Sequence, residues 1–396
     1  RSNSMTVRVS KPEFNLREKI SELDKPTGLK GIELMRSETT QEARDLINAG
    51  RRNKIINGAM RVAQRGTSES GVTSSGFKQT PDRWRINLSG PTVTVSQSTD
   101  SPDGFSHSYK IDVTTADTSI TGNDRLILQT RLEGVDLQDF AKGTSSAKDF
   151  ILSFYCKSTK MGTFTAELED NDNTGDGGAR TVSRHFTISN TEWNRYEINF
   201  GADNTGAFDA DTGKSMTVFF WLMAGPSYSS GSSLKEHWAP HVDTRRAFGT
   251  TNGADSTSND FYFTGVQLEV GRDGGNATEF EHLGITEDFL LCQRYYFKTT
   301  NAKGSVYENG GATTNVGLGV DFPVRMRTTP TVTLPTSVSN HVHNYGAGDN
   351  SYTGSSGSYG SNVDGANFYM TGGTSRNSGT YSVLNTNAYA EFDAEL

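Results

Sequence analysis

The chain has 396 residues, with 38 Lys plus Arg against 46 Asp plus Glu, so its formal net charge is −8 at pH 7. The charges are spread along the chain, whereas phosphate binding needs clustered cations, and nucleic acid is therefore excluded as the main partner. No apolar run approaches the ~18 residues of a membrane helix, so membrane insertion is not expected. The 42 glycines and the 33% apolar content favour a mainly β chain whose short strands are joined by tight turns.

Residues 1–52 are predicted to form a short N-terminal helical segment. Ser10 with Glu13 makes one capping box, and Thr39 with Glu42 makes a second. Each helix has only a thin apolar stripe, so neither can make a core alone. We expect this segment to dock on another body, such as a sister chain or a larger particle.

Residues 53–284 are predicted to form a jelly-roll β-sandwich. About ten segments alternate apolar and polar residues with a period of two and no long helix intervenes, which is typical of two packed sheets. The segments DFILSFYC (149–156) and MTVFFWLMAG (216–225) are almost wholly apolar and are predicted to be interior strands. VDLQDFAKG (135–143) is predicted to form a single helical turn.

The remaining chain is predicted to contain a short linker helix, residues 285–300, and a C-terminal distal β domain, residues 301–396. Thr286 is the predicted N-cap of the linker helix. The tract 336–380 is rich in Gly, Ser, Asn and Tyr and has few aliphatic residues. A homotrimer in which three such sheets share one core would supply the missing burial.

The two cysteines, Cys156 and Cys292, are predicted to be packed thiols. They lie far apart in the sequence and outside any metal-ligand spacing. Each sits among apolar residues, where free cysteine behaves as a small hydrophobic side chain.

The segment IINGAMRVAQRGTS (55–68) is predicted to open the sandwich. A first strand is expected through Ile55 and Ile56, and Asn57-Gly58 is a strong turn signal directly after it. Arg61 and Arg65 are expected to pair with acidic partners on the body of the protein.

This segment, together with DRW (82–84) and the residues VQLEVG…CQRYY between 266 and 296, resembles the opening and exit of a module of bacteriophage tail-fibre and other virion appendage proteins, of marine or cyanobacterial phage type. That module is similar to carbohydrate-binding jelly rolls. The resemblance implies a homotrimer on the virion surface, whose N-terminal segment contacts other virion proteins and whose distal part contacts a host-surface glycan or receptor.

Two other functions stay open beside host attachment. One is a structural part, such as a head decoration or a tail spacer, and the other is a polysaccharide depolymerase. The sequence has no G-x-S-x-G, H-E-x-x-H or P-loop motif and no β-helix repeat, so an enzyme is not expected.

The long connection 226–258 carries the candidate ligand-binding residues. Aromatic rings stack on the C–H face of a pyranose and charged side chains fix its hydroxyl groups, so this mixture is typical of a sugar-binding rim. The candidates are His237, Trp238, His241, Asp243 and Arg245. The alternative is a tryptophan that only anchors its loop to the sandwich.

Two candidate metal sites complete the sequence analysis, and no other cofactor is expected. Asp170, Asp172 and Asp176 gather carboxylates in one loop as calcium sites do, although the final glutamate of an EF-hand loop is missing. The alternative is a solvated Gly-rich hairpin.

The second candidate is NHVHN (340–344), in which His341 and His343 project to one face of an extended strand. Three chains around an axis could offer these imidazoles to one transition metal. The alternative is a pair of exposed histidines.

Overall fold

The computed structural model describes residues 29–37, 51–173, 179–271, 276–308, 314–334, 342–344, 348–350, 356–358, 360–373, 381–384 and 389–396. The chain divides into two compact units, residues 1–52 and residues 53–396. In the first unit the description covers one helix, α1 (Leu29–Arg36), which the capping signals did not predict. The helices predicted over 10–23 and 39–50 lie outside the described residues. Within the described ranges, no helix has the length and apolar composition needed to cross a membrane.

The second unit begins with a sandwich of two antiparallel sheets. Its strands are β1 (Ser68–Val72), β2 (Gly76–Phe77), β3 (Arg85–Ser89), β4 (Thr92–Ser98), β5 (Ser108–Thr115), β6 (Arg125–Glu133), β7 (Phe150–Ser158), β8 (Gly162–Asp170), β9 (Arg180–Ile188), β10 (Asn194–Asn199), β11 (Lys214–Ala224), β12 (Ala239–Pro240) and β13 (Asp260–Val270). The first sheet has the order β1-β4-β5-β13-β7-β10, and the second has the order β12-β9-β8-β11-β6-β3-β2. The mainly β sandwich predicted from the alternating pattern is therefore confirmed.

The core between the two sheets is aromatic. Phe154 of β7 packs against Phe220 of β11 and Phe186 of β9, with ring centroids 4.8 and 5.1 Å apart. Full burial of such a side chain contributes roughly 1.5–3 kcal/mol. Strands β7 and β11 are interior strands of their sheets, as their apolar runs predicted. The helical turn predicted over 135–143 is present as two 3₁₀ turns, Gly134–Asp136 and Gln138–Phe140.

Both cysteine thiols are free and buried, as predicted. Cys156 belongs to the core between the sheets, and Cys292 packs with Ile56, Val62 and Tyr295. Burial raises the pKa of both thiols well above its usual range, so both remain protonated and unreactive at neutral pH.

The strand predicted through Ile55 and Ile56 is wrong, because the chain there has no regular strand structure. Two backbone bonds join the segment to β13, from Lys54 N to Leu268 O (2.8 Å) and from Val266 N to Gly58 O (3.0 Å), and the Asn53 side chain adds two more. The Asn53 Nδ2 donates to Val266 O (3.0 Å), and the Leu268 amide donates to Asn53 Oδ1 (3.1 Å). The segment is thus fixed along β13 without joining its sheet.

Asn57 begins the predicted turn and organises the residues around it. Its φ of 56° is in the left-handed region that asparagine tolerates better than most residues. Its side-chain amide donates to Val62 O (2.8 Å) and Asp82 O (2.9 Å), and its backbone oxygen accepts from the Trp84 indole (3.1 Å). One residue therefore fixes the positions of two later segments of the opening.

The two arginines of the opening have acidic partners, as predicted. Arg61 pairs with Asp288 at 3.2 Å, and Arg65 pairs with Asp393 at 3.1 Å. A third arginine of the opening, the buried Arg83, pairs with Glu395.

Two tyrosine rings pack against the guanidinium groups of these arginines. The guanidinium of Arg83 lies 3.4 Å from the centroid of the Tyr295 ring, and that of Arg65 lies 3.7 Å from the Tyr296 ring. We call Arg65, Arg83, Tyr295, Tyr296 and Glu395 the arginine–tyrosine cluster.

Elsewhere in this unit, the described residues form α2 (Pro226–Ser229), α3 (Ile285–Gln293) and ten further strands. The strands are β14 (Tyr296–Thr299), β15 (Lys303–Glu308), β16 (Thr314–Asp321), β17 (Thr331–Thr333), β18 (Val342–Asn344), β19 (Gly348–Asn350), β20 (Ser356–Ser358), β21 (Gly365–Gly373), β22 (Tyr381–Leu384) and β23 (Ala390–Asp393). They form two antiparallel sheets, with the orders β14-β23-β17 and β19-β18-β22-β15-β16-β21-β20. A small core around Phe368 and Phe392 lies in this part. The domain boundaries at 284 and 300 remain predictions.

The predicted N-cap of α3 is wrong. Gly284 is the N-cap, with an extended conformation (φ −62°, ψ 145°), and its oxygen accepts the first helical bond from Asp288 N (3.0 Å). Thr286 therefore lies inside the first turn. Glycine is an acceptable N-cap, so the helix needs no side-chain cap at this position.

Gly58→Ala is expected to destabilise the protein by about 1–3 kcal/mol, because an added Cβ would lie 2.1 Å from Val266 O and force the opening away from β13. Gly284→Ala is the control, since a Cβ there meets nothing within 4 Å, and it should cost at most about 1 kcal/mol because alanine is a poorer N-cap than glycine. Urea unfolding followed by tryptophan fluorescence measures both. Equal stabilities of the two variants would contradict the close approach of Gly58 to β13.

Candidate functional site

A groove lies where β10, at the edge of the first sheet, faces β9 and β12, at the edge of the second. Its volume is about 410 Å³. We call it the edge groove. Its chemistry is carried by Asp149, Arg180, Arg184, Asn199, His237 and Trp238.

The indole of Trp238 is held rigidly at the inner side of the edge groove. Its Nε1 donates to Gly201 O at 3.2 Å, and its ring centroid lies 5.3 Å from that of Phe150. Part of the indole remains accessible. A fixed and partly open ring loses little conformational entropy when a ligand stacks on it.

Arg184 supplies hydrogen-bond donors to the edge groove. Its Nε donates to Asn199 O at 3.4 Å, and no carboxylate of the described residues forms an ion pair with it. Arg180, by contrast, is held by two bonds to Asp203, at 2.8 and 2.9 Å. Arg184 is therefore the cation of the groove whose terminal nitrogens are available to a ligand.

A paired amide and carboxylate also line the edge groove. Asn199 Nδ2 donates to Asp149 Oδ2 at 2.9 Å. The remaining oxygen of Asp149 can accept from a hydroxyl group. His237 is exposed at the rim. An indole face with fixed donors and acceptors is the arrangement that recognises a sugar ring and its hydroxyls.

The structure brings only two of the five candidate ligand-binding residues into the edge groove, His237 and Trp238. His241 Nε2 lies 2.8 Å from Asp243 Oδ1, so these two residues contact each other. Arg245 donates to Ser233 O (2.9 Å) and to other atoms of the same loop. These three residues shape the connection around a 3₁₀ turn (Asp243–Arg245).

Sequence reasoning missed Asp149, Arg184 and Asn199, which come from three separate strands or strand ends. One signal was available for Arg184. It occupies an inward position of β9, between the buried residues Val182 and Phe186, where the alternating pattern calls for an apolar residue. A cation at such a position near a sheet edge indicates a functional or a paired charge.

The predicted calcium ligand Asp170 lies in an oxygen cage that holds an ammonium group. Lys142 Nζ lies 2.5 Å from Asp170 Oδ2 and 3.2 Å from Asp203 Oδ2, and all three side chains are buried. The same nitrogen donates to Thr205 O (3.1 Å) and Gly206 O (2.6 Å). Carboxylate and carbonyl oxygens are also the ligands that calcium prefers. The Lys142 ammonium group therefore occupies the position that a calcium ion would take among these oxygens.

Among the described candidates, Asp172 does not join this cage. Asp172 accepts from the backbone amide of Asp209 at 2.9 Å, and burial raises its pKa. Asp176 and His341 lie outside the described residues, and of His343 only the backbone is described, within β18. Among the described side chains, no group of three or more His, Cys, Asp or Glu is placed to hold a metal. Both metal sites remain predictions.

Lys142→Met is expected to destabilise the protein by about 3–5 kcal/mol, because it leaves the buried carboxylate of Asp170 without its cation. Lys148→Met is the control, since Lys148 is exposed and should change stability by less than about 0.5 kcal/mol. Denaturant unfolding measures both variants, and a stable Lys142→Met protein would contradict the ion pair.

No family model and no curated protein matches the chain. Among solved structures, the chain is similar to the enzymatically active domain of tailspike protein 4 of bacteriophage CBA120, with 14% identity and a TM-score of 0.31. The match covers 55% of this chain and only 21% of the tailspike chain.

The chain is also similar to a family 11 carbohydrate-binding module of a cellulosomal cellulase from Clostridium thermocellum, with 15% identity, a TM-score of 0.27 and 53% and 99% of the two chains covered. A third similar structure is a xylan-binding domain from Paenibacillus barcinonensis, with 11% identity, a TM-score of 0.27 and 58% and 100% covered. At these TM-scores the similarities do not define the function of this chain.

Proposed function

We propose that this protein binds glycans through the edge groove and serves, without catalysis, as a homotrimeric virion appendage that attaches a phage to its host surface. The observation that carries the glycan proposal is that the partly open indole of Trp238 and the guanidinium of Arg184, which forms no ion pair among the described residues, line the same groove. The indole offers a stacking surface, and Arg184 with Asp149 offers a donor and an acceptor for hydroxyl groups.

The carboxylates of the edge groove support a binding role over hydrolysis. Glycoside hydrolysis needs one carboxyl group that can donate a proton and a second that can act as base or nucleophile. Asp203 is already held by Arg180 and by Lys142, so it serves as a structural partner of these two cations. Asp149 is the only other carboxylate among the described residues that line the groove.

The physical logic of attachment is multivalency. A single groove of this size binds a short saccharide weakly. When three copies belong to one appendage, the first binding event makes the second and third intramolecular, which raises the overall affinity. The phage location and the N-terminal attachment to other virion proteins belong to the same proposal, which is supported by the motifs at 55–68 and 266–296.

Arg184→Ala is expected to weaken oligosaccharide binding by about 10- to 100-fold, since a hydrogen bond to a charged group contributes roughly 1.5–3 kcal/mol. A glycan array identifies the best ligand of the wild-type protein, and titration calorimetry with that ligand compares the variants. Trp238→Leu should lose affinity as well, through the lost stacking.

Arg195→Ala is the matched control, because Arg195 lies on β10 outside the groove and pairs with Glu197. Unchanged affinity of Arg184→Ala would place the ligand elsewhere. A wild-type protein that binds no glycan of the array or of intact host cells would favour a structural head decoration or tail spacer. Release of reducing ends from host polysaccharide would indicate an enzyme.

Point substitutions are preferable to a deletion of 301–396 in these tests. Such a deletion removes Glu395, the partner of the buried Arg83, and Asp393, a partner of Arg65. It would damage the sandwich together with the distal part, so a loss of binding would not locate the site.

The homotrimer is expected to sediment as a single species of three times the 43.1 kDa chain mass at low micromolar concentration. The physical reason is the small core around Phe368 and Phe392 in the C-terminal sheets, which association would extend. Analytical ultracentrifugation measures the mass directly, and a monomer at these concentrations would refute the shared core.

A further inference from the structure

A recess lies in the C-terminal sheets, on the outward face of β16 and β21. Leu318 of β16 lies opposite Phe368 of β21, and both belong to the small core of this part. Side chains alternate between the two faces of a sheet, so the residues next to these two in each strand face away from that core. The recess has a volume of about 630 Å³, which is within the ~300–1,000 Å³ of small-molecule sites. We call it the C-terminal recess.

Glycine residues create this hollow. Gly319 lies opposite Asn367, and Asp321 lies opposite Gly365, so each of these two outward pairs holds one polar side chain and one position without a side chain. The two polar residues therefore lie on a diagonal of the ladder, with open space beside each. Asn301 precedes β15, the other neighbour of β16, and adds its side chain to the lining.

The rim of the C-terminal recess between β20 and β21 is fixed by hydrogen bonds. Asn362 Oδ1 accepts from the backbone amides of Asp364 (2.7 Å) and Gly365 (3.1 Å). The Phe322 amide donates to Asp364 O at 2.9 Å, which ties the rim to the residue that follows β16. A rim that is already fixed loses little conformational entropy when a ligand binds against it.

Several polar groups of the C-terminal recess are available to a ligand. Among the described residues, the Asp321 carboxylate, the Asn301 side-chain amide and the Asn362 Nδ2 form no hydrogen bond or ion pair. Asp364 lies 3.9 Å from Arg325, and both of these side chains are exposed. The recess thus presents two carboxylate acceptors and two amide groups that a ligand can contact.

This chemistry favours an uncharged ligand that is rich in hydroxyl groups. A carboxylate accepts hydrogen bonds from hydroxyls, and a side-chain amide can donate to them and accept from them. Two carboxylates, Asp321 and Asp364, line the C-terminal recess, and none of its described lining residues is a cation. An anionic ligand would be repelled by these like charges, whereas a neutral sugar would not.

We propose that the C-terminal recess binds a neutral sugar residue of a host glycan, with Asp321, Asn301 and Asn362 as the residues that hydrogen-bond its hydroxyl groups. The inference rests on the proposed glycan-binding function and adds a second site to each chain. The recess faces away from the core around Phe368, so association of chains through that core would leave it accessible. Two weak sites in each chain would strengthen multivalent attachment.

The test measures the binding of neutral tetrasaccharides of glucose, mannose and galactose to the full chain by saturation-transfer NMR. The Arg184→Ala protein, whose edge groove is impaired, is expected to retain binding of at least one of them. Asp321→Ala in this background should weaken the remaining binding at least about tenfold, and Asn301→Ala at least about threefold, because each removes hydrogen bonds to hydroxyl groups. Asp103→Ala is the matched control, since Asp103 is an exposed carboxylate that lines neither site.

Binding in the C-terminal recess is expected to be independent of salt and to survive EDTA, because it involves neither an ionic contact nor a metal. A tetrasaccharide that carries uronate in place of the neutral sugar should bind the Arg184→Ala protein more weakly. Loss of binding in EDTA, or stronger binding of the uronate form, would overturn the proposed recognition by hydrogen bonds to a neutral sugar.

Other outcomes separate this inference from the proposed function. Loss of all binding in Arg184→Ala would overturn the C-terminal recess and leave the edge groove in place. Full binding by Arg184→Ala that Asp321→Ala abolishes would support the recess and overturn the edge groove as the glycan site. A wild-type protein that binds none of the tetrasaccharides would overturn both sites.

A thermal scan completes the test. Asp321 is exposed, so Asp321→Ala should leave Tm nearly unchanged. A large fall in Tm would assign Asp321 a structural role and overturn its part in binding. An Asp103→Ala protein that loses affinity as much as Asp321→Ala would do the same, because the loss would then follow from any removed carboxylate.

Discussion

The buried pairing of Arg83 with Glu395 is the interaction on which the arrangement of this protein depends. It joins the residues just before β3 to those just after β23, which are separated by 312 positions. Arg83 has a φ of 74°, a conformation that is strained for a residue with a long side chain. The strain is offset because the guanidinium stacks on Tyr295, pairs with Glu395 and donates to Arg131 O (2.6 Å). Breaking this pair would leave one buried charge uncompensated, which usually costs several kcal/mol.

The sandwich could be predicted from the sequence because strand patterning is a local property. Side chains two apart share a face, so the buried residues of β7 and β11 are visible as apolar runs without any knowledge of their neighbours. The opening could not be predicted in the same way. Ile55 and Ile56 are buried like strand residues, but the Asn53 side chain supplies part of the hydrogen bonding to β13, beside the backbones of Lys54 and Gly58. No pattern of apolar residues reports what an amide side chain will contact. The N-cap of α3 was misjudged for a related reason, since Gly284 needs no side chain to cap a helix.

The candidate site was predictable only in part, because its residues converge through the fold. Trp238 stood out as an aromatic residue in a long polar connection, whereas Arg184 lies on β9, and its inward position between Val182 and Phe186 indicates a special charge without showing that it shares a groove with Trp238. The loop carboxylate Asp170 was recognised as a cation ligand, and its partner proved to be Lys142, 28 residues earlier. Charge pairing across strands is a tertiary property, so a sequence indicates which groups need partners but not which partners they find.

The separation between Arg83 and Glu395 also has a consequence for biogenesis. During synthesis at about 5–20 residues per second, Arg83 emerges roughly 15–60 s before its carboxylate partner. Throughout that interval the nascent sandwich carries a guanidinium without its carboxylate partner. The order of translation therefore delays completion of the native state. A chain this rich in non-local pairings is expected to depend on holding factors that prevent association with neighbouring nascent chains on the same polysome.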